Sequence, residues 1–379
     1  MNFIFLLKIS ILIVGCGHKS DTNGIDLRRN DDVSIYDFFT NVKIIPLETT
    51  EESLITEVSK VQFYNGHYYI LDRRSHELFC FDEEGKFLYK ISNQGRGPRE
   101  YVGVSDFTID RFNYRLLLLD PATKHIHSFD IEGNYLNVMN LEGPVVTRIH
   151  SLNDSTLVFF SSVDEYELLY YSMVNEHFFH KEFKSPGEHR SYYPSLNGVY
   201  QFENRTFFLP SLSRNVYDLT DIKPKKQYTL CFGELNNTNM QIARLITERQ
   251  NRHPQDPLYI NYAVGKKNIL NYHIYWAFET SLFIIAFLEF DNDFKHVVIN
   301  KENNESYVFT NFNENIVLRN PDFGKEKIIL YDKNFIYSRA DRNLAHYNKK
   351  SLPLEDQNII ANHNPETDNP FLVVYKLRN

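Results

Sequence analysis

A chain of 379 residues with 42% hydrophobic and 15% aromatic side chains, 30 Phe and 25 Tyr among them, has the apolar content of a β-rich globular protein and excludes disorder. Its formal charge of −8 excludes a global attraction to nucleic acid. The densest basic cluster, Lys223, Lys225 and Lys226, surrounds Pro224 and reads as a solvated loop.

The first predicted element is an export signal. Phe3 to Val14 is an apolar run carrying one early cation, Lys8, and it ends in Ile13-Val14-Gly15-Cys16, which is similar to a bacterial lipobox. The run is too short to cross a bilayer of about 30 Å. Cleavage before Cys16 and acylation of its sulfur would hold the protein by lipid, since each buried methylene contributes about 0.8 kcal/mol. Residues 1–15 are therefore expected to be a lipoprotein signal peptide and 16–32 a flexible linker. Residues 33–379 are expected to be one folded domain.

The domain opens with a repeat at an offset of 48 residues. Tyr69 to Asp72 and Phe81 to Leu88 recur without a gap at Leu117 to Asp120 and Phe129 to Leu136. Short strands at that period are the signature of propeller blades, whose faces are buried only against neighbours. Gly85 and Gly133 suit tight hairpin turns, and Asp82 and Asp130 suit their capping, which outweighs an acid/base reading of these repeated aspartates. Cys80 and Cys231 lie about 150 residues apart, in blades on different sides of a ring, which predicts two free, shielded thiols.

Weaker four-strand sets follow at residues 146–183, 199–232 and 273–309. A further set begins with Ile328 to Tyr331 and Phe335 to Ser338. It is expected to be completed by Phe371 to Leu377 and by the early strand Val42 to Leu47, closing the ring with both chain ends. From Val33 onwards 347 residues are available, which at about 48 per blade predicts six blades. The fold class read here is all-β, a six-bladed β-propeller with one or two short surface helices. Thr238-Asn239-Met240-Gln241 is a capping-box pattern ahead of helical spacing, and Leu354 to Asn362 is a second, shorter helix.

Enzyme signatures are missing: no Gly-x-Ser-x-Gly, His-Glu-x-x-His, CxxC pair or phosphate-cradling glycine loop occurs. The loop Gly95-Arg96-Gly97-Pro98-Arg99-Glu100-Tyr101 admits two readings. Arg96 and Arg99 suit clamping an anionic or sugar ligand, with Tyr101 as a stacking platform. Alternatively the loop is a tight connector between blades with Tyr101 packed inside, which is the preferred reading. Further ligand-binding candidates, on strands that would line the channel, are Asp106, Thr147, Arg148, His150 and Gln201.

The same loop, together with the Phe-Asp-x-x-Gly-Lys-Phe-Leu signature at Phe81 to Leu88, Ile45-Pro46-Leu47-Glu48-Thr49, and Asn369 to Leu377, resembles the six-bladed β-propeller lipoproteins of Bacteroidota, relatives of NHL-type propellers. Arg99 stands where that family more often has Gly. The resemblance implies the fold and a cell-envelope, outer-membrane location reached through the lipid on Cys16. The functional reading is a non-enzymatic binding or assembly module for a glycan, peptide or envelope protein, with no cofactor. The alternative is a propeller hydrolase or lyase whose carboxylates, and a Ca²⁺ ion, meet at the channel mouth.

Overall fold

The computed structural model describes residues 24–161, 164–184, 198–203, 205–250, 269–314, 328–332, 335–339, 350 and 352–378. Its strands are β1 (Phe39–Pro46); β2 to β5 (Val58–Tyr64, His67–Asp72, Glu77–Asp82, Phe87–Ile91); β6 to β9 (Asp106–Asp110, Arg115–Asp120, His125–Asp130, Tyr135–Asn140); and β10 to β13 (Arg148–Ser151, Thr156–Phe160, Tyr166–Ser172, His177–Lys184). They continue as β14 to β17 (Val199–Phe202, Arg205–Phe208, Asn215–Asp218, Lys225–Thr229), β18 to β21 (Tyr272–Glu279, Phe283–Phe290, Asp293–Asn300, Ser306–Phe309), β22 (Ile328–Asp332), β23 (Phe335–Arg339) and β24 (Phe371–Leu377). Among the described residues they form six four-stranded antiparallel sheets, five of consecutive strands and one in the order β1-β24-β23-β22.

Only five of these sheets bring a strand to the axis. β22, β2, β6 and β10 approach one another in that order with Cα atoms within 8 Å, and β14 approaches β22 equally closely. Gln201 on β14 reaches His150 on β10 at 3.2 Å and completes the circle. Because β22 touches both β14 and β2, no place on the axis remains for β18. The protein is a five-bladed β-propeller, and the six blades expected from the sequence are corrected to five.

The sheet β18 to β21 is an insertion between the fourth blade and the closing one, and it packs outside the inner ring. Phe283, Tyr307 and Phe309 surround Phe38 at ring-centroid distances of 5.3, 5.5 and 6.1 Å. The Lys301 ammonium lies over the Phe202 ring at 5.1 Å. Burial patterns differ among these strands, although β6 on the axis is also buried at all five of its positions. β10 and β14 alternate buried with half-buried positions, as strands lining a channel do. β18 is buried at all eight of its positions, as a strand covered on both faces.

The closing blade is assembled from both chain ends as expected. β24 lies between β1 and β23, with Val42 opposite Tyr375 and Ile336 opposite the same residue on the other side. Ring closure leaves each blade buried between neighbours and removes the need for an open sheet edge at the seam. The capping box on Thr238 forms, with Gln241 N–H donating to Thr238 Oγ1 at 3.2 Å and Thr238 N–H to Gln241 Oε1 at 2.8 Å. It starts α1 (Asn239–Gln250), and α2 spans Leu354–Asn362.

Two further expectations change. Gly24 to Asp32 is no tether: Leu27 is fully buried, Ile25 N–H donates to the Cys231 carbonyl at 2.9 Å, and Asp31 exchanges two bonds of 2.7 Å with the Val308 backbone. This strap seats the inserted sheet, because Val33, Ile35 and Phe38 belong to the same apolar core as Phe283 and Val308. Cys80 is a free, buried thiol, whereas Cys231 is disulfide-bonded. The expectation of two free thiols considered only the pair Cys80 and Cys231. Cys16 lies outside the described residues.

Leu27→Ala should cost about 2–5 kcal/mol in urea-induced unfolding, the range for deleting a fully buried leucine. A variant as stable as the parent would show that the strap contributes nothing to the fold.

Candidate functional site

In a sheet of four antiparallel strands, the connections leaving the first and third strands lie at one end and those leaving the second and fourth at the other. Around the five-bladed ring the first end carries only short turns, the longest described being the six residues 219–224. The second end carries the described residues 47–57, 92–105, 141–147 and 352–370, and the chain leaves the ring after β17 at the same end. Connections are where binding residues concentrate on a rigid scaffold. The mouth of the channel at this second end is therefore the candidate site.

The inner strands bring five of the predicted residues or their neighbours together. Asp106 is 5% exposed; one carboxylate oxygen accepts from Lys60 Nζ at 2.9 Å and the other from Ile149 N–H at 2.9 Å. Gln62 Oε1 accepts from Ile109 N–H at 2.9 Å, and Ser151 Oγ lies 3.1 Å from Asp110 Oδ1. Gln201 Nε2 donates to His150 Nε2 at 3.2 Å. Each contact crosses from one blade to the next. Asp106, His150 and Gln201 therefore hold the ring together while lining it. Thr147 sits at the exposed start of β10, where its carbonyl accepts from Ser105 Oγ at 3.3 Å.

Charge in this channel is uneven. Among the described residues, Lys60 and Arg148 stand near Asp106 towards the long-connection end and Arg73 lies near Arg148, whereas Arg111 lies in the short turn after β6 and donates to the Phe63 carbonyl at 3.3 Å; Asp110 is taken up by Arg115 at 2.9 Å. Burial, followed by the fields of Lys60 and Arg111, pushes the His150 imidazole down to about 3, so the ring is neutral and its Nε2 is free to accept from Gln201. Burial also lowers the Arg148 guanidinium; Asp106 opposes that shift and Arg73 adds to it.

The Gly-Arg-Gly-Pro-Arg-Glu-Tyr loop is built as a connector. Tyr101 is 0% exposed, its hydroxyl donates to the Ile91 carbonyl at 3.2 Å and accepts from Asn93 N–H at 3.1 Å, and its ring meets His127 edge-on. No ring face is left for a ligand to stack on. Glu100 folds back to accept from Gly97 N–H at 2.7 Å, and a Cβ on Gly95 would lie 1.9 Å from Glu100 Oε2. A side chain at Gly95 would displace the Glu100 carboxylate from this turn. Arg96 and Arg99 remain exposed on the long-connection end, with the Arg99 guanidinium 5.7 Å from the Tyr135 ring centroid.

The repeated aspartates are structural. Asp72 accepts from Thr56 N–H at 2.6 Å and Arg74 N–H at 2.9 Å, while Asp120 accepts from Val102 N–H at 2.8 Å and Ala122 N–H at 3.0 Å. Each caps the turn after its strand and pins the incoming connector. Gly85 and Gly133 hold φ of +85° and +86°, as the tight turns require. Among the described residues no three His, Cys, Asp or Glu side chains converge as metal ligands would. Sequence reasoning missed Lys60, Arg73 and Glu167. Glu167 is 5% exposed at the long-connection end of β12, accepts from Ser211 N–H at 2.8 Å, and is pushed by burial to about 7.

A five-bladed β-propeller with a polar channel and an inserted sheet is the class this geometry defines. The chain belongs to a family of domains of unknown function, DUF4934, whose model matches residues 23–376. Its backbone is similar to that of a candidate exported protein of Bacteroides fragilis, with 16% identity and a TM-score of 0.75 over 93% of this chain and 98% of that one. It is also similar to a member of the DUF4221 family from Bacteroides vulgatus, with 13% identity and a TM-score of 0.53 over 92% and 99% of the two chains. No curated protein matches the sequence. At these identities the likeness is one of fold.

Tyr101→Ala should lower stability by about 3–5 kcal/mol while Arg96→Ala stays within about 0.5 kcal/mol of the parent, both read from denaturant midpoints. Equal effects would contradict the connector. For Glu167 the folded-state value is raised, so its stabilising contribution is complete below about 4.5 and is lost as pH rises through about 7. Glu167→Gln should remove that loss and gain on the order of 3 kcal/mol at pH 8 relative to the parent. Parallel stability profiles of the two proteins between pH 4.5 and 8 would refute the assignment.

Proposed function

We propose that this protein is a cell-envelope binding or assembly module, anchored by lipid at Cys16 in the outer membrane, that presents the long-connection end of its propeller to a glycan, peptide or envelope protein. The observation that carries the reading is the asymmetry of the ring among the described residues: short turns at one end, and at the other the long connections 47–57, 92–105 and 141–147, with Lys60, Arg73 and Arg148 near that mouth. The inner-strand carboxylate and imidazole are consumed in holding blades together, which leaves them suited to presenting a surface rather than to exchanging protons with a substrate. Among the described residues no helix is long and apolar enough to cross a membrane. The fold likeness to a candidate exported protein of Bacteroides fragilis supports the compartment.

The anchor has a chemical consequence. Cys16→Ala should abolish lipid labelling and release the protein from the membrane fraction. Lipid labelling and membrane attachment unchanged in Cys16→Ala would overturn the lipid anchor.

Capture from native envelope tests the binding face. A partner recovered by the parent should be lost with Arg73→Glu combined with Arg96→Glu, both on the long-connection end, and kept with Lys86→Glu on the short-turn end. Loss only in Lys86→Glu would place binding on the opposite face.

A further inference from the structure

A strand at the edge of a sheet offers a row of unpaired backbone N–H and C=O groups, and folded proteins block that row with charge or with another segment. The outer strands of the five blades are β5, β9, β13, β17 and β1, and the inserted sheet ends in β21. The strap covers β21, where the Val308 carbonyl and N–H are both bonded to Asp31 at 2.7 Å, and α2 places the Asp356 carboxylate on the Ile44 N–H of β1 at 3.0 Å. Glu48 takes the Phe87 N–H of β5 at 2.8 Å, and Lys90 of that strand pairs with Glu77 at 2.9 Å. β13 carries Lys181, Glu182 and Lys184, and β17 carries Lys225 and Lys226. β9 differs from all of these. Its residues, Tyr135 to Asn140, include no charge and no proline, and Leu136 and Val138 are exposed by 50% and 38%.

The surroundings of β9 set the direction and charge of what could join it. Leu141 N–H donates to the Lys124 carbonyl at 2.8 Å, and the same register pairs Met139 with Ile126 and Val138 with His127. Backbone groups alternate along an antiparallel ladder, so Val138 and Asn140 turn theirs away from β8. The Asn140 carbonyl accepts from the Tyr171 hydroxyl at 2.7 Å, which leaves the Val138 N–H and carbonyl and the Asn140 N–H to a further strand. A strand joining antiparallel, as the neighbours within this blade do, would run from Asn140 towards Tyr135 and end beside Arg99. Arg99 is exposed, its guanidinium stands 5.7 Å from the Tyr135 ring centroid, and among the described residues it has no ion pair. The adjacent Glu100 is engaged by the Gly97 N–H. We propose that the outer edge of β9 is a docking site for an extended peptide segment that joins the second blade as a fifth, antiparallel strand, with uncharged side chains against Leu136 and Val138 and a carboxylate at its carboxy-terminal end against Arg99. In strand addition the backbone bonds supply affinity and alternate side chains supply selectivity. Charge favours a peptide over a second copy of this chain, which would bring −8 towards −8. The site lies on the flank of a blade and goes beyond the binding face at the long-connection end.

The probes are random heptapeptides with free carboxy termini, selected on beads against the full mature chain. Selection should enrich peptides with uncharged β-branched or aromatic residues at alternate positions. In the best of them, N-methylation of one alternate set of backbone nitrogens should abolish binding while methylation of the other set is tolerated, and binding should slow hydrogen exchange at the Val138 and Asn140 N–H groups. Val138→Lys should weaken binding about tenfold or more at an unchanged melting temperature, because Val138 is partly exposed. Arg99→Ala should weaken it about threefold, the size of an exposed ion pair, and it decides the matter if Val138→Lys does not fold. The same loss on converting the peptide to its carboxamide assigns the carboxylate to the chain terminus; an unchanged carboxamide assigns it to an Asp or Glu side chain. No enrichment, or peptides that bind both variants as they bind the parent, would overturn the site. So would a concentration-dependent dimer of the parent that Val138→Lys abolishes, since the edge would then belong to a second copy. An envelope partner lost with Arg73→Glu and Arg96→Glu while no peptide is enriched would remove the edge site and leave the binding face standing; enriched peptides with no partner captured would do the reverse.

Discussion

One carboxylate joins three blades. Asp106 lies on the inner strand of the second blade, takes the ammonium of Lys60 from the first and the backbone N–H of Ile149 from the third, and is almost completely buried in doing so. Removing one partner of such a buried, charge-assisted pair leaves an unpaired charge, which is far more costly than the pair is favourable. The remaining contacts around the ring repeat this device with weaker groups: Gln62 to Ile109, Ser151 to Asp110 and Gln201 to His150. Apolar packing between blades is non-directional, so these polar crossings fix the register in which blades meet. They also leave the inner wall polar, which is what makes the channel a place where a ligand can be recognised.

The inserted sheet changes what kind of propeller this is. It shares its core with the strap 24–38, the fourth blade and the closing strands, where its aromatic side chains pack, and hydrogen bonds from Arg29 to the Ser306 carbonyl and between Asp31 and Val308 seat it on the strap. The flank is thus held by apolar burial together with hydrogen bonds. Burial alone does not set a strand's place, since β6 on the axis is buried at all five of its positions and β18 on the flank at all eight.

Much of the local structure was legible. The repeat at an offset of 48 residues located β3 to β5 and β7 to β9, and the aspartates and glycines of their turns act as their spacing implied. The capping box at Thr238, the helix Leu354–Asn362 and the meeting of β1 with β24 were readable because each depends on a short pattern or on the need to close an edge. The candidate site was legible only in part. Asp106, Arg148, His150 and Gln201 do line one channel, but Lys60 and Arg73 were not singled out, since nothing local to them signals a neighbour two strands and one blade away. Tyr101 was recognised as a packing residue because Gly95, Gly97 and Pro98 around it are what a tight passage requires.

The blade count marks the boundary between the two kinds of information. The sequence by itself determined the strands, their pairing within each sheet and the joining of the chain ends, because period-two alternation and turn chemistry act over a few residues. Only the tertiary structure decided which sheets reach the axis, that residues 24–32 are a buried strap, and that cations from separate blades share one channel mouth. Those outcomes depend on which faces find each other across long chain separations, and packing of that kind is non-local: the same four apolar strands are equally consistent with a blade in the ring and with a sheet laid against its side until their neighbours are in place.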